Sequence, residues 1–444
     1  MTTQIFQAST LYGTATLAAA LDSGCFRPAD RRVLLVCNNA ATPETTPALD
    51  TMPGFDRLRD RFDDVLSYNE TIFPFHPGGW APRGDDLPLW ERFLRHEWRL
   101  GDDDVELAVE SIQVNPSLAL AQIFTGAPVT VYADGLMSYG PTRNKIDPLV
   151  GTRVDRVLHL DLVPGLEPLL LTEFGVPGEI LPTPAFTKVL AELAPLGDGL
   201  PAIEEPALLL GQYLSALEIL TPAQEEELHV RMLRGAAALG HRTVVFKPHP
   251  SAPPRFARLL EEEARKLEVE LTVLDTPVLA EVLYQRMRPA LVVGCFSTAL
   301  LTASALYGLP VARVGTELLL ERLTPFENSN RVPVTVVDAL LPELGDRAAV
   351  TEQRRGRDVA SLGALVRALG FAMQPKVLPG LRTEAEAYLA GNLGPGTLRY
   401  FKRRRLTSLA LPGGVPAQLA FIPRNATVRR VARTARSLRR GARR

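Results

Sequence analysis

Thr243-Val-Val-Phe-Lys-Pro-His-Pro250 reads as a short strand that runs out into a rigid loop. The run from Thr243 to Lys247 has the length and β-branched content of a strand buried in a parallel sheet. Pro248 and Pro250 then fix the loop around His249 and remove competing backbone donors. Lys247, two residues before the imidazole, suits an anionic ligand, and His249 can donate a proton near neutral pH. In open α/β sheets ligands bind beyond the carboxyl ends of the strands, which is where this loop falls.

The same pattern occurs twice more. Val129-Thr-Val-Tyr-Ala-Asp-Gly135 ends a strand on Asp134, which is either a general base with Gly135 giving a substrate close access, or a carboxylate that caps a turn. Leu291-Val-Val-Gly-Cys-Phe-Ser-Thr-Ala-Leu300 ends a strand at Gly294 and starts a helix near Ser297-Thr298. Hydroxyls and free N–H groups there make an anion site or a simple N-cap.

Further strands are expected at Gln4–Gln7, Arg32–Cys37, Arg156–His159, Ala207–Leu210, Leu271–Leu274 and Val311–Val314, alternating with helical patterns such as Gln224–Leu239 and Arg255–Leu267. Alternation of this kind predicts an α/β protein built on parallel sheets. A Pro/Gly-rich passage at 196–206 splits it into halves, residues 1–195 and 207–398, and residues 399–444 form a third, basic region. The charge-free stretch Ala290–Ala312 is long enough to span a bilayer. It is interrupted by Gly294, Gly308 and Pro310, so it reads as strand, helix and strand.

Of 444 residues, 46% are hydrophobic and 22% charged, the balance of a soluble globular chain. The net charge of −1 is a cancellation. Fourteen bases and no acids follow Leu398, leaving 35 bases against 50 acids, or −15, in the rest. Cys25, Cys37 and Cys295 have no short spacing, which excludes a disulfide scaffold or zinc knuckle and points to a reducing cytoplasm. The amino-terminal residues show no secretory signal pattern. P-loop, G-x-G-x-x-G, G-x-S-x-G and zinc-helix signatures are missing. Asp102-Asp103-Asp104 contains a D-x-D pattern, but it precedes a helical pattern at Val105–Val109, where acids suit the helix dipole, so no metal is expected.

Together, Asp134-Gly135, His249-Pro250 and Ser297-Thr298 resemble, in kind and in chain order, the motifs of bacterial sialyltransferases and polysialyltransferases. The resemblance implies a GT-B fold, two facing Rossmann-like domains, and an inverting, metal-independent transfer from a CMP-activated sugar to a glycan acceptor, with no cofactor. It implies Asp134 as the base on the acceptor hydroxyl, His249 and Pro250 at the CMP phosphate with His249 as acid, and Ser297 and Thr298 on the same phosphate. Lys247 would lie near the cytidine and Glu281 would grip the ribose. Gly211-Gln212 would open the nucleotide-binding half. The family pattern has two acids before the glycine, and here the first is Ala133. That departure keeps an inactive nucleotide- or glycan-binding relative as an alternative, beside a CDP-glycerol-type polymer transferase with a similar Lys-x-His-Pro site.

Arg424–Arg444 holds nine arginines, with Val428, Val431, Ala432, Ala435 and Leu438 near helical spacing. A basic amphipathic segment suits an anionic membrane or another polyanion. No nucleic-acid recognition fold accompanies it, so no specific nucleic-acid partner is expected. The implied location is cytoplasmic, peripheral at the inner face of the cell membrane.

Overall fold

The structure, a computed structural model, describes residues 1–197, 199–249, 252 and 255–415. Seven parallel strands make the first sheet: β1 (Thr2–Ala8), β2 (Arg31–Val36), β3 (Asp64–Ser67), β4 (Asp104–Glu110), β5 (Val129–Ala133), β6 (Val154–Leu160) and β7 (Gly178–Leu181), in the order β3-β2-β1-β4-β5-β6-β7. Five more make the second: β8 (Ala207–Leu210), β9 (Thr243–Lys247), β10 (Glu270–Val273), β11 (Leu291–Gly294) and β12 (Val311–Arg313), in the order β10-β9-β8-β11-β12. Each sheet reverses its strand order once, between β1 and β4 and between β8 and β11, which is the Rossmann arrangement. The two α/β halves of a GT-B fold are therefore present. Ala290–Ala312 is strand, helix (Thr298–Leu306) and strand, as read.

Strand β4 corrects the helical reading of Val105–Val109. Leu, Ala and Glu favour a helix locally, but the side chains alternate as a strand requires. Val105, Leu107 and Val109 enter one core cluster while Ala108 enters the other. Glu106 is held by Gln4 Nε2 at 2.9 Å and Arg27 Nη2 at 3.1 Å, bonds that only register with β1 makes available. Asp103 binds the Thr3 hydroxyl at 2.7 Å, so this acidic run anchors the amino end of β4, away from the strand's carboxyl end.

The expected basic region beginning at Arg399 is corrected for residues 399–415, which pack onto the body. Tyr400 and Leu406 are fully buried. Arg399 Nη2 lies 2.6 Å from Asp338 Oδ2, which also accepts from Tyr400 OH at 2.8 Å. The other oxygen, Oδ1, takes Thr316 Oγ1 at 2.6 Å and Arg313 Nη1 at 3.1 Å. Asp338 is completely enclosed, and it needs this cation as much as it needs the hydroxyls. Lys402 donates to Leu323 O, and Arg405 to Ala372 O and Met373 O. These bases cap carbonyls of the fold. Residues 416–444, including the nine arginines of the amphipathic pattern, lie outside the described residues.

The helix Val359–Met373 crosses back to the first half. Gly370 admits Leu169 Cδ1, which would lie 2.6 Å from a Cβ at that position. We predict that Asp338→Ala lowers unfolding free energy by about 3–5 kcal/mol, because it removes the enclosed carboxylate shared by Arg313 and Arg399 and leaves the two cations with only the half-exposed Glu317. Urea denaturation measures it, and a change under about 1 kcal/mol would contradict this account.

Candidate active site

The carboxyl ends of β4 and β5 in one half, and of β8, β9 and β11 in the other, border one cleft of about 860 Å³. Asp134 enters it from the first half. His249, Ser297 and Thr298 enter from the second, with Gly211 and Gln212 on the same wall. Six of the nine residues singled out in the sequence thus meet in one place. Pro250 lies outside the described residues. Lys247 and Glu281 do not line the cleft: Glu281 is buried and accepts from the Thr302 hydroxyl at 2.8 Å.

Local sequence explains the placement. The nine-residue helix Thr298–Leu306 is capped by the Ser297 hydroxyl, which accepts from Ala299 N at 3.3 Å. The cap reading of Ser297-Thr298 holds, and the cap residue and the first helical residue are also on the cleft wall. Gln212 braces the turn before that helix, its Oε1 accepting from Phe296 N at 2.9 Å. Gly211 is required where the chain folds against Phe246 and Pro248: a Cβ there would meet Phe246 Cζ at 3.0 Å and Pro248 Cα at 3.2 Å. Gly135 serves the approach of the two halves, because a Cβ would meet Thr298 Oγ1 at 3.1 Å.

Burial governs the electrostatics. It raises the pKa of Asp134 to about 7, with the neighbouring Glu110 charge as the second cause. Glu110 is itself raised by burial, opposed by its bonds from Ser9. Lys247 is lowered by burial, and Glu281 partly restores it. Burial also raises Glu281. His249 falls below the ordinary imidazole value, first through desolvation by the cleft walls and then through the Lys247 charge. The cleft therefore holds a proton acceptor of unusual strength opposite an imidazole that is neutral at pH 7.

The model of the alpha-2,8-polysialyltransferase (POLYST) family matches residues 4–316, a span that includes every one of these groups. The chain belongs to the alpha-2,8-polysialyltransferase family. It is a glycosyltransferase, with sialyltransferase function as the family's chemistry. No curated protein matches it in sequence at a significant level. Among solved structures it is similar to the GT-B domain of a sialyltransferase from Photobacterium damselae, with 12% identity over 76% of this chain and 96% of that one and a TM-score of 0.40. It is also similar to UGT73P12 of Glycyrrhiza uralensis, with 12% identity over 88% and 98% and a TM-score of 0.43. A third similarity is to MurG of Acinetobacter baumannii, with 11% identity over 87% and 95% and a TM-score of 0.41.

Three further residues of this family member's cleft escaped the sequence reading. Glu110 ends β4, and its signal was hidden by the helical pattern around it. Tyr213 follows the Gly211-Gln212 turn and packs at 6.5 Å between ring centroids from His249. Arg143 lines the cleft and donates to Ser329 Oγ of the other half at 3.0 Å. A loop residue of that kind carries no strand-end signal.

Gly135→Val should lower the unfolding free energy by on the order of 1–3 kcal/mol, since the added side chain overpacks against Thr298. Urea denaturation measures it. Wild-type stability would show that the two halves do not need this close approach.

Proposed function

We propose that this glycosyltransferase moves sialic acid, or a related sugar, from a CMP-activated donor to a hydroxyl of a cell-surface or capsular glycan, with inversion. The observation that supports the reading is the division of labour across the cleft: Asp134 stands on one half, and His249 with the capped helix start Ser297-Thr298 on the other.

A CMP donor carries one phosphate. The terminus of one helix, two hydroxyls and an imidazole are matched to that single charge, and they can stabilise it on departure by fixed electrostatics. A leaving group with one phosphate needs no divalent ion to neutralise a diphosphate. His249 is neutral before the donor arrives; the phosphate's charge raises its proton affinity, it takes up a proton from solvent, and as imidazolium it donates that proton to the departing phosphate. Asp134 takes the proton from the attacking hydroxyl. Attack from the face opposite the phosphate inverts the anomeric centre. Lys247 and Glu281 stand behind the lining, with Lys247 contributing positive potential there. Enclosure between the halves limits hydrolysis of the donor.

Asp134→Ala should abolish transfer from CMP-sialic acid and leave CMP affinity within about twofold. In the wild type kcat/KM should be lost as pH falls through about 7, because the base works only when ionised and its folded pKa is raised to that value. A variant that transfers at the wild-type rate would remove Asp134 from the reaction.

We also propose that the nine arginines of residues 424–444 hold the enzyme at an anionic membrane surface, on its cytoplasmic face. Among the described residues no helix is long and apolar enough to cross a membrane. Vesicles containing phosphatidylserine should float with the full chain and not with a chain ending at Val415, which keeps the packed residues 399–415. Equal flotation would place attachment elsewhere.

A further inference from the structure

Ala133 removes the first of the two acids that this family's pattern places before glycine, yet the cleft contains two carboxylates. Strands β4 and β5 pair in parallel with Glu110 opposite Tyr132, and Asp134 follows Tyr132 by two residues. Both carboxylates line the cleft. Gly13 marks how tightly this corner is built: a Cβ there would lie 3.0 Å from Tyr132 OH and 3.5 Å from Asp134 Oδ2. Glu110 is held from the start of the next loop, its Oε2 accepting from Ser9 N at 3.1 Å and Ser9 Oγ at 2.6 Å. Its own N–H donates to Gln7 Oε1, which also takes the Ser117 hydroxyl at 2.8 Å. The two Ser9 bonds hold the Glu110 side chain and the Gln7 bond holds its backbone, so the carboxylate keeps a fixed place on the cleft wall beside the strand that leads into Asp134.

We infer that Glu110 is the second acid of the pair, supplied in space by β4 in place of residue 133, and that it is a positioning residue that strengthens Asp134 as proton acceptor. The inference rests on the reading of Asp134 as the base. Two like charges in a half-buried corner favour uptake of one proton, and either carboxylate alone would bind it less tightly. In the transfer, the acceptor oxygen forms its bond to the anomeric carbon as the bond from that carbon to the phosphate oxygen breaks. CMP leaves with that electron pair. The hydroxyl proton passes to Asp134, which relieves its repulsion with Glu110 at the moment the new bond forms.

The other groups around the pair are accounted for. Tyr12 from the helix Leu11–Asp22, Tyr132 from β5 and Cys37 beside Glu110 are all held protonated by burial. From the other half His249 borders the cleft and is kept neutral at pH 7. The two carboxylates are left as the titrating pair.

The test is carboxyl 13C NMR titration of the full chain labelled at Asp and Glu, with the Asp134 and Glu110 signals assigned by their loss in Asp134→Asn and Glu110→Gln. Wild type should show Asp134 titrating near pH 7, in steps that the Glu110 signal shares. Glu110→Gln keeps an acceptor for Ser9 and should lower the Asp134 midpoint by about 1 unit or more. The acid limb of kcat/KM should move with it, and kcat should fall roughly 3- to 10-fold. Adding Ala133→Asp to Glu110→Gln should raise the midpoint again. An unmoved Asp134 midpoint overturns the inference, as do two independent single-step titrations in the wild type, which need no variant. Failure of the wild type to use CMP-sialic acid would sink the proposed donor, while the titration would still decide the role of Glu110.

Discussion

Gly135 lets the two halves of the molecule approach closely at Thr298 on the cleft wall, and that approach sets what the cleft can do. Without a Cβ at 135, the carboxyl end of β5 reaches the amino end of the helix Thr298–Leu306. A carboxylate one residue earlier then faces a helix terminus and an imidazole across one enclosed volume. Parallel sheets make this economical, because all strand ends of one sheet point the same way and the functional loops collect there. The rest of the architecture holds that meeting in register. The helix Val359–Met373 returns to the first half, and the buried Asp338 pins the chain after Leu398.

Enclosure is paid for in charge solvation. Asp134, Glu110, Lys247 and Glu281 all have their charged forms disfavoured by burial. Such groups persist in a fold when their shifted proton affinities serve a reaction, and pairs of titratable groups pushed apart in pKa mark acid and base roles. Here the push acts in opposite senses on the two walls. Asp134 holds its proton more tightly than an ordinary aspartate, and His249 holds its proton less tightly than an ordinary histidine. With the proposed donor bound, its phosphate charge would bring His249 back into range, and protonation of the leaving group would be coupled to donor binding.

Much of the fold was legible in the sequence because parallel strands buried on both faces are written as short apolar runs. The nine strands expected are all present to within two or three residues at their ends. The three not anticipated, β3, β4 and β7, are short or rich in residues that favour other structures, and their pairing comes from tertiary register. The misreading of β4 had a cost beyond secondary structure, because it hid Glu110 at a strand end where it would have been suspected at once. The site was legible wherever a motif follows a strand directly. Lys247 and Glu281 sit near the motifs in sequence yet fall behind the wall, since a side chain's depth depends on packing from elements far along the chain. The basic region was legible as charge but not as structure. Arg399 is indistinguishable by composition from the arginines beyond residue 415, and only the enclosed Asp338 reveals it as part of the body.

The claim on which all of this depends is that a CMP-sugar lies across the cleft with its phosphate on the second half. A crystal structure of the full chain with CMP tests it most directly. The account predicts the phosphate within hydrogen-bonding distance of His249, Ser297 and Thr298, with the side toward Asp134 open for an acceptor. CMP bound with its phosphate away from the helix Thr298–Leu306, or outside the cleft, would contradict it.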